Sequence, residues 1–199
     1  MKPTKKPMKR LSLYLFLILF TFQTLSQADD IRDFEIEGMS VGDSLLDYFS
    51  EEEIKKNKQY EFNYNDIFAT IGFIKNSFKV YDKVQFHYKL KDKNYKIYGM
   101  IGVIEFKNNI KDCFNKKDKI VAELSDELKD VKKQIYGERE HSADKSGNSK
   151  TYDVYFKFES GNYIAVSCYD WTKEMGYSDN LKVAIQSNEF ENFLKKYYK

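Results

Sequence analysis

Apolar and polar residues alternate along several short segments of this 199-residue chain, and these segments form two groups. A period of two is typical of a β-strand with one buried face. The first group lies at 67–73 and 84–90, followed by 95–106, which is apolar at most positions as in a central strand; the second lies at 154–158, 164–168 and 181–185. Gly99 and Gly102, inside the central strand, indicate bends or close approach of other groups to the backbone.

A long helix is predicted between the two groups. Apolar residues recur there at helical spacing from 110 to 135, and Gly137 then ends the pattern. At 1.5 Å per residue this helix would be roughly 40 Å long. Such a helix is long enough to lie across a whole sheet.

Capping signals predict shorter helices. Ser40 followed by Asp43 predicts the start of one helix, and Ser50 followed by Glu53 predicts a short turn of helix after it. Ser187 begins a C-terminal helix. The order of helix, strands, long helix, strands and helix predicts an α+β fold: a mainly antiparallel sheet with a long helix and two shorter helices packed on one face.

The second strand group contains a predicted hairpin. Residues 160–162, Ser-Gly-Asn, form its turn. A three-residue loop there pairs residue 158 with 164, 156 with 166 and 154 with 168, which places all apolar side chains of the hairpin on one face.

The first 28 residues have the pattern of a secretion signal. A basic stretch, Met1 to Arg10, precedes an apolar run of 12 residues, which is shorter than the roughly 20 needed to cross a bilayer. Small residues, Ser26 and Ala28, then occupy the −3 and −1 positions of a cleavage site. We therefore predict a cleaved signal at 1–28, a single domain at 29–199 without a transmembrane span, and a periplasmic or secreted location.

Removal of this leader reverses the sign of the net charge. Five of the 33 basic residues and none of the 31 acidic ones lie in it, so the remainder has 28 basic and 31 acidic side chains, a net charge of −3. A basic surface for nucleic acid is therefore not expected.

Cys113 and Cys168 are the only cysteines. In an oxidising compartment an even pair is expected to form a disulfide. The bond would join the first turn of the long helix to a strand of the second group.

Residues that could carry chemistry are few. His87 is predicted on the polar face of a strand, and His141 lies in a polar loop beside Ser142 and Asp144. The chain has no zinc, calcium, phosphate-loop or dinucleotide motif. We therefore predict no catalytic residue, no metal site and no cofactor, with a small hydrolase using carboxylates or His141 as the alternative.

Aromatic residues are the best candidates for a binding site. Tyr155, Ala165, Ser167 and Tyr169 are predicted on the sheet face opposite Cys168, where tyrosines can stack on a sugar, a peptide or a protein. The alternative is that these tyrosines only stabilise the sheet through cross-strand contacts. The predicted ligand-binding residues are Tyr155, Tyr163, Tyr169, Trp171 and Tyr177.

Three segments carry a resemblance: 30–46, 81–88 and the helix at 110–124. Together they resemble a group of uncharacterised secreted or periplasmic proteins from marine alphaproteobacteria, a likeness that implies export but no particular activity. Separately, Ile36-Glu37-Gly38-Met39-Ser40 followed by a helix is similar to the opening of BamE and beta-lactamase-inhibitor-like envelope modules. The chain departs from the lipoprotein pattern because it has no cysteine after the apolar run.

These observations predict an exported, non-catalytic binding or interaction module. Its partner is expected to be a protein, a peptide or a glycan of the cell envelope. An envelope-assembly scaffold, in which the long helix docks on another chain, is the third alternative.

Overall fold

The computed structural model describes residues 30–61, 67–107 and 109–197. The predicted signal at 1–28 lies outside these ranges. The described part contains short 3-10 turns, three helices and ten strands. The strands are β1 (Glu35–Ile36), β2 (Met39–Ser40), β3 (Lys58–Glu61), β4 (Phe68–Phe73), β5 (Lys83–Lys89), β6 (Ile97–Glu105), β7 (Lys132–Glu140), β8 (Lys150–Lys157), β9 (Tyr163–Asp170) and β10 (Asn180–Gln186); the helices are α1 (Glu51–Lys56), α2 (Ile110–Glu127) and α3 (Asn188–Tyr197).

Eight strands form one antiparallel sheet in the order β3-β4-β5-β6-β10-β9-β8-β7. Each half is a run of neighbours in sequence, β3 to β6 and β7 to β10. The halves meet where β10 pairs with β6, from Asn180 opposite Glu105 to Gln186 opposite Gly99. The α+β prediction with a large antiparallel sheet is confirmed.

The face that carries Cys168, called the inner face, holds the core. Phe86 and Met100 are paired across β5 and β6 and are fully buried there. On the half of the sheet that contains β5 and β6, the inner face is covered by the segment that precedes α1, through Leu45 and Phe49. Helix α2 covers the other half, where buried Cys113 packs with strand residues of β9 and β10.

The predicted disulfide is present between Cys113 and Cys168. Their Cα atoms are 6.0 Å apart, and both side chains are fully buried. The bond joins the first turn of α2 to β9, a strand of the second half of the sheet.

The prediction that all helices pack on one face is wrong for α3. Phe190 of α3 contacts Phe68 and stacks on His87 with ring centroids 4.1 Å apart. His87 and Phe68 lie on the outer face, since they alternate with inner-face residues along β5 and β4. Only Ser187 separates β10 from α3, and its N–H donates to the carbonyl of Tyr98, so the chain turns directly over the outer face.

The helix predicted to begin at Ser40 is also absent. The N–H of Ser40 does donate to the carboxylate of Asp43, as a cap would require. However, Gly42 has a φ of +105°, which no α-helix accommodates. Residues 35–40 form the β1–β2 hairpin instead, and Ser44 caps a short 3-10 turn.

The second capping signal is confirmed. The N–H of Ser50 donates to Glu53, and the N–H of Glu53 donates to the hydroxyl of Ser50. The backbone hydrogen bond from Ser50 is the main cause that lowers the pKa of Glu53 to about 2. Helix α1 therefore begins with a complete capping box.

The long helix ends at Glu127, eight residues before the end of its apolar pattern. Its 18 residues give a length of about 27 Å. Leu128 is buried in the core, and the following residues turn so that 132–140 become β7, an edge strand paired with β8. Pairing with β8 thus outweighs the helical spacing, and Ile135 is 69% exposed on β7.

The β8–β9 hairpin is shifted by two residues from its predicted register. Phe156 pairs with Ile164 and Val154 with Val166, because the N–H of Phe158 donates to Asn162 around a loop at 159–161. A shift of two preserves the side-chain faces, since strand side chains alternate with period two. The predicted face of Tyr155, Ala165, Ser167 and Tyr169 is therefore confirmed.

Gly102 lies on the inner face at the seam between the halves. A Cβ placed there would lie 2.5 Å from ring atoms of Tyr81, which packs directly on the backbone. We expect Gly102→Ala to lower the free energy of unfolding by about 1 kcal/mol, the lower end for overpacking. Urea denaturation measures this loss, and the same substitution in a Tyr81→Ala background, where the clashing ring is absent, controls for the removal of a glycine. Equal or higher stability of Gly102→Ala would show that Tyr81 moves aside freely.

Candidate functional site

A groove of about 270 Å³ lies on the outer face, between α3 and a row of tyrosines. Tyr155, Tyr163 and Tyr169 form one wall, and Phe190 and Leu194 of α3 form the other. We call this feature the tyrosine groove. It is smaller than a drug-sized site, so it suits a small ligand or one residue of a larger one.

The sequence of β9 explains why the surface is concave. On the outer face β9 presents Tyr163, Ala165, Ser167 and Tyr169 in order, two small side chains between two large ones. Ala184 of β10 pairs with Ala165 and extends the low floor. The groove is thus a consequence of side-chain size on one face of two adjacent strands.

The tyrosine wall is fixed by its own contacts. The rings of Tyr155 and Tyr163 have centroids 5.3 Å apart, and the hydroxyl of Tyr163 lies 3.2 Å from a carboxylate oxygen of Glu191 on α3. Burial is the main cause that raises the pKa of Tyr163, with Glu191 second. These phenols are therefore neutral hydrogen-bonding groups on a rigid apolar wall.

Lys182 of β10 stands at one end of the groove. Its Nζ lies 4.1 Å from the ring centroid of Tyr169, within the range of a cation–π contact. Burial, followed by the charge of Lys83, lowers its pKa. Among the described residues, its ammonium group forms no ion pair or hydrogen bond with a carboxylate.

Two buried polar side chains lie at the other end, His87 and Gln186. His87 is 6% exposed and Gln186 is 3% exposed. Nδ1 of His87 is 2.9 Å from the hydroxyl of Thr70, but its Nε2 and the Oε1 of Gln186 have no hydrogen-bond partner within the described ranges. Gly99 makes room for this arrangement, since a Cβ there would lie 1.8 Å from Oε1 of Gln186.

The prediction of a solvated polar face for His87 is therefore wrong. Phe190 covers the imidazole, and burial lowers the pKa of His87 to about 3. The side chain is a neutral imidazole at physiological pH. The alternating pattern of β5 could not show this, because the cover comes from α3 at the far end of the chain.

Trp171 and Tyr177 do not line the groove. They form a second aromatic cluster beyond the end of β9, with ring centroids 4.9 Å apart. Trp171 connects the cluster to the groove by stacking on Tyr169 at 5.9 Å. The five predicted ligand-binding residues are thus divided into three that line the groove and two that extend its aromatic surface.

A polar recess of about 310 Å³ adjoins the groove across Tyr155 and Tyr169. Arg139 of β7 donates to Asp153 of β8 at 2.7 Å, and the guanidinium lies 4.5 Å from the ring centroid of Tyr136. The charge of Asp153 is therefore matched locally. Lys182, in contrast, has no carboxylate partner within the described ranges.

His141, at the rim of this recess, is not arranged as a proton relay with its neighbours. Its Nδ1 accepts from the N–H of Ala143. The carboxylate of Asp144 accepts from Ser146 and Ser149 instead, and these hydrogen bonds lower its pKa. The imidazole packs against Trp171, with ring centroids 4.4 Å apart.

Sequence reasoning missed Lys182, His87 and Gln186 as parts of the site. A usable signal was present in β10, where Lys182, Ala184 and Gln186 alternate with the buried Leu181, Val183 and Ile185. Because strand side chains alternate between faces, these three lie on the same face as Ala165 and Ser167 once β10 is paired with β9. The pairing itself could not be read from the sequence.

Comparisons of the chain with protein-family models, with curated proteins and with solved structures find no match. The resemblance to secreted and envelope proteins stays a prediction. Over the described ranges, no helix has the length and apolar content needed to cross a membrane. In the same part of the chain, no group of three or more His, Cys, Asp and Glu side chains is placed to hold a metal ion.

Proposed function

We propose that this protein is an exported binding module that holds a small ligand in the tyrosine groove without transforming it. The observation that carries the proposal is the groove itself, which joins a tyrosine wall to two polar atoms that have no hydrogen-bond partner among the described residues. Buried polar atoms are normally hydrogen-bonded, and exceptions often mark sites completed by another molecule. His87 Nε2 and Gln186 Oε1 are two such exceptions at one end of one concavity.

Export is supported by the leader pattern and by the disulfide. Disulfides persist mainly in oxidising compartments outside the cytosol. The bond between Cys113 and Cys168 is fully buried, so it has a structural position in the core. A periplasmic or secreted module is the simplest reading of both features.

Binding is favoured over the hydrolase alternative by the surroundings of the ionisable groups. A general base must reach the substrate with a suitable pKa. The carboxylates that act on His141 are already hydrogen-bonded, Asp144 to serines and Asp153 to Arg139. Glu191, beside the groove, contacts the hydroxyl of Tyr163 and forms an ion pair with Lys195. No specific contact favours the scaffold role of α2.

The test is native mass spectrometry of the full chain expressed in a Gram-negative host and recovered from the periplasm. We expect loss of residues 1–28, a mass two hydrogens short because of the disulfide, and additional non-covalent mass from a ligand. Ala184→Phe fills the floor of the groove and is expected to remove the additional mass, because the larger side chain occupies the ligand's place.

Ala143→Phe is the matched control, since Ala143 is exposed in the loop after His141. It is expected to retain the ligand. Circular dichroism checks that both variants fold. A ligand that survives Ala184→Phe in a folded protein would place binding elsewhere and reject the tyrosine groove.

A further inference from the structure

The strongest unexplained charge on the outer face is the ammonium group of Lys182. It lies against Tyr169 and is half-buried, with Lys83 as the neighbouring charge that bears on it. Both effects disfavour the charged form in the unliganded protein, because burial removes water and Lys83 repels. A bound anion would offset both effects, because its opposite charge favours the charged ammonium group.

The other end of the groove presents uncharged polar groups. Lys182 and Gln186 are four residues apart on the same face of β10, or about 13 Å along the strand. His87 Nε2 and Gln186 Oε1 need a hydrogen-bonding group there, and neither needs a charge. Between the two ends, the wall consists of tyrosine rings and the floor of alanine and serine.

We propose that the tyrosine groove binds a small ring-bearing organic carboxylate, with its carboxylate on Lys182, its ring against the tyrosine wall and a polar substituent toward His87 and Gln186. This inference rests on the proposed function and names the ligand class. A carboxylate is favoured over a neutral ligand because the described residues leave Lys182 without an acidic partner. Both aromatic acids and sugar acids have this shared chemistry.

Two pairs of probes separate these sources and isolate the charge. The first pair is 4-hydroxyphenylacetate and 4-hydroxyphenylacetamide, and the second is glucuronate and glucuronamide. Each pair keeps the ring and replaces the carboxylate by a neutral amide. Trp171, the only tryptophan, stacks on Tyr169 and provides a fluorescence signal for the titrations, with calorimetry as the second readout.

The acid of at least one pair is expected to bind about tenfold or more tightly than its amide, as a charge-assisted hydrogen bond provides. Lys182→Met keeps most of the length of the side chain and removes its charge. It is expected to lower the affinity for the acid to that for the amide. Lys182→Gln repeats the test in case the methionine variant folds poorly.

Lys133→Met is the matched control. Lys133 is also a strand lysine over a ring, Phe156, but it faces the inner side of the sheet. It is expected to leave the acid-to-amide ratio unchanged. A ratio near one in the wild type, or a high ratio that persists in both Lys182 variants, would overturn the inference.

The two proposals fail in different ways. If an amide binds as well as its acid and Ala184→Phe removes both, the groove is a binding site and only the carboxylate inference is wrong. If no probe binds, the carboxylate inference is wrong as well. If, in addition, protein from the periplasm carries no extra mass, the binding function is also rejected.

Discussion

Replacing both cysteines by alanine is expected to lower the free energy of unfolding by about 4 kcal/mol. Cys113 and Cys168 are 55 residues apart, so the bond removes much of the conformational freedom of the unfolded chain. Both side chains are fully buried, so the two alanines also leave a small cavity under α2. Urea denaturation of the double variant under oxidising conditions measures the loss.

Reduction of the wild type provides the control for this experiment. With a thiol reductant present, the wild type is expected to approach the stability of the double variant, and the variant itself should not respond. A loss below about 1 kcal/mol would mean that the reduced unfolded chain is already restricted, contrary to the loop-entropy argument.

The second large effect concerns His87 and pH. Its pKa is lowered from 6.5 to about 3 in the folded protein because the imidazole is buried. Below pH 6.5 the unfolded chain therefore binds a proton that the folded protein does not, and stability falls as pH falls toward the folded pKa. The free energy of unfolding is expected to be about 2 kcal/mol lower at pH 5 than at pH 8 from this group alone.

His87→Gln removes this dependence while keeping a polar group beside Thr70. The stability of the variant is expected to change much less between pH 8 and pH 5, measured by urea denaturation at each pH. His141→Gln is the matched control and should retain most of the wild-type slope, because His141 is only partly buried. A parallel pH profile for wild type and His87→Gln would show that water reaches the imidazole.

Local patterns were sufficient to predict most of the sheet. The alternation along β5 and β10 follows the more deeply buried inner face, a property that each strand records on its own. Strand β4 and most of β9 are buried on both faces, yet their apolar alternation still predicted strands. The disulfide followed from cysteine number and compartment. The register of the β8–β9 hairpin was wrong by two residues, yet its faces were right, because the period of a strand is also two.

Contacts between distant parts of the chain could not be predicted in this way. Phe190 of the C-terminal helix α3 stacks on His87 of β5, and no local sequence pattern indicates this contact. The apolar spacing after Leu128 continued that of the helix, and pairing with β8 made this segment a strand instead. At Ser40 the capping residues were correct but the backbone of Gly42 was not helical.

The candidate site was half predictable for the same reason. Parity placed Tyr155 and Tyr169 on one face, as the strand pairing confirms. The concavity depends on β10 lying beside β9 and on α3 lying across the same face, so its floor and its two polar ends needed the assembled sheet. Use of the groove for binding is the proposal that the titrations test.

The junction of β6 with β10 has a consequence during synthesis of the chain. Strands β3 to β6 can pair with one another once β6 has left the ribosome. The edge of β6 that pairs with β10 stays unpaired until residues 180–186, near the C-terminus, have been synthesised. Unpaired edges of apolar strands can pair with other chains and cause aggregation. Strand β6 is apolar, and its residues include Ile97 and Met100. A chain that begins to fold during synthesis is therefore prone to aggregate until β10 is complete. Transport of the unfolded polypeptide across the membrane, with folding only afterwards, would avoid this interval.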